Sequence, residues 1–308
     1  MKRALGIVGG LLLVTVPVAC SPSSDPPSAV RVVATTTVVA DLVSNVGGDR
    51  VVVQSLVPAG GEPHTFDPRP SDVTAFAGAD LVIMNGLGLD EWVVDLISEA
   101  GSEAPVVELA EDLPGVEYIE EEHEEEGEGG EGHEHGAVNP HLWLNVAYAQ
   151  AYVTRIAEAL AEVDAEGADG YHTRAATYNE ELAELDAYAR DELGAIPADQ
   201  RRVVSFHEAF PYFAAAYGLD VIGTVVEAPG QDPSAGEVAA LIDEMADVGV
   251  SAILSEDQFP AELVEQLASE AGVEVVADLY TDSLGDPPGD TFVGMIRHDV
   301  DRIVAALR

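Results

Sequence analysis

Short runs of β-branched and apolar residues alternate with stretches of helical periodicity along most of this chain. The runs at 31–37, 51–57, 81–85, 203–205, 221–226, 252–255 and 273–277 are short and rich in β-branched residues, and read as strands. Strands that alternate with helical segments predict an α/β fold of parallel sheets covered by helices. The runs form two groups, separated by a stretch from about 145 to 193 that carries no strand signal and reads as helix.

Within that stretch Tyr171, Ala175, Tyr178, Leu182 and Leu185 recur at three- and four-residue steps, which places them on one helix face. No Pro or Gly interrupts the pattern until Gly194, and Pro197 completes the stop signal. Two readings are open from periodicity alone: a long helix joining two lobes, or a surface helix within one domain. Length favours two lobes, because 308 residues at 47% hydrophobic content approach the size at which a single core stops growing.

The N-terminus changes the picture. Lys2 and Arg3 precede an apolar stretch that ends at Cys20, the pattern of a secretory signal peptide over 1–19. The following SPSSDPPS is Pro- and Ser-rich, so residues 20–30 predict a tether without a core. Cys20 is the only cysteine, which excludes an internal disulfide and a cysteine metal cluster. At this boundary it reads as a lipidation site, and stable anchoring would require diacylation.

Charge excludes one class of partner. Against 57 acidic residues stand 13 basic ones, for a net charge of −44, and the sole lysine is Lys2. Nucleic acid binding needs clustered Lys and Arg, so it is ruled out. Ten of the acidic residues lie in residues 117–136 (EYIEEEHEEEGEGGEGHEHG), which predict a disordered loop. Its His123, His133 and His135 suit either auxiliary metal binding or a plain solvated charge run.

Three other histidines have distinctive settings: His64 in GEPHTFDP, His141 in NPHLWLN and His207 in VVSFHEAFPYF. His64 and His207 lie just past predicted strands, and Pro63 and Pro140 restrict the backbone beside His64 and His141. In open α/β folds, ligands gather at the carboxyl ends of strands. One histidine there is usually structural, whereas three with carboxylates nearby point to a metal site. Asp282, Asp278 and Glu256 all lie near strand ends and are candidates for the acidic donor. By contrast NGLGLD at 85–90 lacks the full dinucleotide fingerprint and predicts a tight turn. Trp92, Trp143, Phe210, Tyr212 and Phe213 read as core or cleft lining.

The strings GEPHTFDPRPSDV, ADLVIMNGLGLDEWV, NPHLWLN, SFHEAFPYFAAAYGLDVIG and LYTDSLG, in this order, resemble the solute-binding proteins of bacterial zinc and manganese ABC importers. The resemblance runs from about Arg31 to Arg308. It implies two parallel-sheet lobes joined by one long rigid helix, with a metal in the cleft: an N-terminal lobe at 31–165, a linking helix at 166–194 and a C-terminal lobe at 195–308. By position it implies His64, His141, His207 and Asp282 as ligands, with Asp278 and Glu256 ranked below Asp282.

Many relatives carry Asp where this chain has Asn139 and Asn145, positions that would lie behind the ligands. The His207 donor and the His-bearing loop favour Zn2+, while the Asp of LYTDSLG is shared with Mn2+ binders. The expected protein is a monomeric, lipid-anchored carrier on the outer face of the cell membrane that hands zinc to an ABC importer permease. Alternatives are a manganese carrier of the same family and a surface adhesin or metal buffer. An enzyme is not expected, since neither HExxH nor GxSxG occurs.

Overall fold

A computed structural model describes residues 29–120, 138–226, 229–231, 233–259 and 261–308. The predicted signal peptide, Cys20 and the acidic-loop histidines His123, His133 and His135 lie outside them. The described part opens with β1 (Val30–Ala34), α1 (Thr37–Gly47), β2 (Val51–Ser55), α2 (Pro70–Phe76), β3 (Leu81–Met84), α3 (Trp92–Ala100) and β4 (Val106–Glu108). Two long helices follow, α4 (Val146–Val163) and α5 (Ala168–Gly194). The second half holds β5 (Arg202–Ser205), α6 (Pro211–Tyr217), β6 (Asp220–Thr224), α7 (Ala235–Val248), β7 (Ala252–Glu256), α8 (Ala261–Ala271), β8 (Glu274–Leu279) and α9 (Phe292–Leu307).

Among the described residues the strands form two four-stranded sheets, ordered β2-β1-β3-β4 and β6-β5-β7-β8, with every pairing parallel. The central strands β3 and β7 are buried along their whole length, as continuous apolar runs in parallel sheets require. Helix starts follow local chemistry. The Thr36 hydroxyl accepts from the Val39 amide to cap α1, and Pro70 and Pro211 sit in the first turns of α2 and α6. The run predicted as strand over 31–37 therefore ends at Ala34, because Thr36 is already a helix cap.

The predicted helical gap is two helices, interrupted where Arg50 and Tyr171 both bond the Asp164 carboxylate. Helix α5 buries Tyr171, Ala175, Tyr178, Leu182, Leu185, Ala189 and Leu193, so the periodic stripe is its inward face. It packs against α1, α4, α6 and α9. One apolar cluster runs without a break from Val32 and Ile83 in the first sheet, through α4 and α5, to Leu254 and Val276 in the second. Separate clusters fill the outer faces, under α2 and α3 in one lobe and under α7 and α8 in the other.

The lobes are also joined by polar contacts. The Ser283 hydroxyl accepts from the Gly60 amide at 2.8 Å, the Leu284 amide donates to Thr37 Oγ1 at 2.8 Å, and the Phe292 amide donates to Asp41 Oδ2 at 3.0 Å. A seam of this kind limits how far the two halves separate.

Candidate metal centre

His64 lies in the loop after β2, His207 two residues past β5, and Asp282 shortly after β8. His141 immediately precedes the short 3-10 turn Leu142–Leu144 that leads into α4. All four side chains meet between the lobes, with one ligand-type atom from each lying within 4.8 Å of the others. His141 Nε2 is 3.2 Å from His64 Nε2, 3.4 Å from His207 Nε2 and 3.2 Å from Asp282 Oδ1, while His207 Nε2 is 3.2 Å from Asp282 Oδ2. His141, His207 and Asp282 are almost wholly buried, and His64 is half-buried at the mouth.

The surroundings orient each ring. Asn139 Oδ1 is 3.0 Å from His141 Nδ1, and the Asn139 amide nitrogen crosses to the Glu208 carbonyl at 2.6 Å. The Trp143 ring lies 5.3 Å from that of His141, and the Phe259 ring 5.3 Å from that of His207. Trp92 Nε1 donates to the Pro63 carbonyl at 3.0 Å, which braces the His64 loop. The Asp282 carboxylate is 3.3 Å from Thr281 Oγ1 and 3.4 Å from Gln258 Nε2.

Burial and mutual charge set the protonation states. Burial lowers His141 and takes His64 down to about 3, so both rings are neutral with lone pairs free at neutral pH. Burial acts on His207 in the same direction, but Glu256 and Asp282 outweigh it and raise His207 well above the usual imidazole range. Asp282 is likewise opposed by burial, yet His141 and His207 hold it well below the ordinary carboxylate range. The two acids thus favour a proton on the buried His207 ring.

Other residues singled out in the sequence lie outside the donor cluster, some of them as expected. Asp278 pairs with Arg302 on the surface, its side chain 64% exposed. Asn145 caps α4 by accepting from the Ala147 amide, so it serves the helix and not a ring. Phe210, Tyr212 and Phe213 are core, with the Tyr212 hydroxyl donating to the Asn139 carbonyl at 3.1 Å. The 85–90 segment is a tight turn in which the Asn85 and Gly86 amides donate to Asp90. Sequence reading missed Glu62, whose Oε1 accepts from the His64 amide at 2.9 Å. Burial, then the Asp282 charge, pushes Glu62 up to about 7. Its place two residues before His64 was the only signal.

A buried set of four donors drawn from both lobes has the composition and closeness of a site that could hold a metal ion. Residues 32–306 match the family described as "Zinc-uptake complex component A periplasmic". The chain therefore belongs to this family of metal-binding components of ABC importers, which are transport proteins and not enzymes.

Among its relatives, the manganese-binding lipoprotein MntA of Halalkalibacterium halodurans is 30% identical over 287 residues, covering 92% of this chain and 91% of that protein. The iron ABC transporter substrate-binding lipoprotein MtsA of Streptococcus pyogenes is 27% identical over 316 residues, covering 99% of each. The solved periplasmic zinc-binding protein TroA of Treponema pallidum superposes with a TM-score of 0.80 at 29% identity, over 91% of this chain and 99% of that one. These three relatives are named for three different metals.

Proposed function

We propose that this protein captures Zn2+ outside the cytoplasmic membrane through His64, His141, His207 and Asp282 and delivers it to the permease of an ABC importer. The observation that carries this reading is the spacing of the donors. Tetrahedral ligands about 2.0–2.1 Å from zinc stand ~3.3 Å from one another. Four of the separations here are 3.2, 3.4, 3.2 and 3.2 Å, and the four donor atoms all lie within 4.8 Å of one another. Three imidazoles and one carboxylate also suit zinc better than manganese, which prefers harder oxygen donors.

Attachment through a lipidated Cys20, action as a monomer and loading by the His123, His133 and His135 loop complete the proposal. The lipoprotein names of the relatives support the anchor, and no helix among the described residues is long and apolar enough to cross a membrane.

A second reading has specific support: the relative that is 30% identical is named as a manganese binder. Competition titration of the metal-stripped protein with zinc and with manganese separates the two. One tight zinc site lost in His207→Ala is the expected result. Tighter manganese binding would replace the metal, and the absence of any tight site would overturn the carrier reading.

A further inference from the structure

Glu256 ends β7 at only 2% exposure, and its carboxyl group sits behind His207 and outside the donor cluster. Its Oε1 is 2.7 Å from His207 Nδ1, and neither atom has another hydrogen-bonding partner among the described residues. Its Oε2 is buried with no partner either. A carboxylate buried in this way costs several kcal/mol unless a cation or a strong donor offsets it. One imidazole proton is the group on hand.

We propose that Glu256 is a positioning residue, which holds the His207 proton on Nδ1 so that Nε2 faces the ion and which supplies the second negative charge that a loaded site needs. The proposal rests on the zinc-carrier reading above. His207 can ligate through Nε2 only when that atom carries no proton, so the remaining proton belongs on Nδ1, against Glu256.

The comparison with His141 shows why the carboxylate matters. There the Nδ1 partner is the neutral Asn139 amide oxygen at 3.0 Å, enough to fix a ring but without charge. With Asp282 alone, a bound divalent ion keeps one surplus positive charge in a buried place. With Glu256 it keeps none, and the anion makes His207 the more basic donor of the two. This gives a role to an acid that the family resemblance ranked below Asp282 as a ligand.

The test is Glu256→Gln, whose side-chain oxygen still accepts from Nδ1 but carries no charge, examined beside the wild type with zinc as the probe. Zinc affinity is expected to weaken about 10- to 100-fold. In the zinc-loaded protein the His207 Nδ1 proton should give a far-downfield, slowly exchanging NMR resonance that moves upfield in the variant, a change that simple loss of packing would not produce.

Zinc affinity equal to the wild type's, or an unmoved resonance, overturns the proposal while leaving the carrier reading intact. A wild type with no tight zinc site overturns both. If the variant does not fold, the wild-type spectrum still decides: a His207 Nδ1 proton that exchanges freely with water refutes the contact.

Discussion

The indole nitrogen of Trp143 donates to the main-chain carbonyl of Thr281 at 2.8 Å, a bond that spans the cleft directly beside the candidate donors His141 and Asp282. It ties the 3-10 turn after one candidate ligand, His141, to the residue before another, Asp282. Trp143→Phe keeps an aromatic ring, though a smaller one, and leaves the carbonyl without this donor in a buried setting, at a cost of ~1–3 kcal/mol for the lost bond. Urea denaturation of the metal-free protein should show that loss, and zinc release measured with a fast chelator should quicken.

Ion binding should appear as stability. A ligand that binds only the folded state at 100 times its dissociation constant adds ~2.7 kcal/mol. A thermal scan with zinc should therefore rise well above one with chelator in the wild type. The two scans should nearly coincide for His207→Ala, and an undiminished shift there would place the ion elsewhere.

Leu182 is completely buried in the middle of α5, within the apolar cluster shared by both sheets. Leu182→Ala should cost ~2–5 kcal/mol through lost burial and the cavity left behind. Because the cluster is continuous, the loss should lower one common unfolding transition. Two separated transitions in the variant would contradict a shared core.

The break between α4 and α5 gives a pH prediction. The bond from the Tyr171 hydroxyl, then those from Arg50, lower the Asp164 carboxyl below its ordinary 3.8. A lowered folded value means stability that is fully present above 3.8 and is lost as pH falls through the folded value. Asp164→Asn should thus be less stable than the wild type at pH 6 and should lose less between pH 5 and pH 3. Urea midpoints measured across that range check both signs.

Much of this was legible in the chain itself. The buried strands announced themselves as apolar runs, and the stripe from Tyr171 to Leu185 is the face that α5 buries. Strand β4 escaped notice because Val106–Glu108 is three residues long and largely exposed, too short for a periodic signal. Periodicity alone did not give the helix break at Asp164, whose carboxylate is held by a distant arginine, Arg50, while the lobe boundary at 165/166 came from the family resemblance.

For the site, the three histidines stood out through their proline and strand-end settings, whereas choosing Asp282 over Asp278 and Glu256 needed family resemblance. Distances in space separate them physically: one acid touches two Nε2 atoms, one touches an Nδ1 and one faces solvent beside Arg302.

His64 follows the second strand, while Asp282 arrives only after the eighth. A ribosome must therefore finish almost the whole chain before all four donors exist, and Asp282 cannot reach its place until β8 has joined its sheet beside β7. A growing chain thus has no enclosed place for an ion, and loading belongs to the completed molecule.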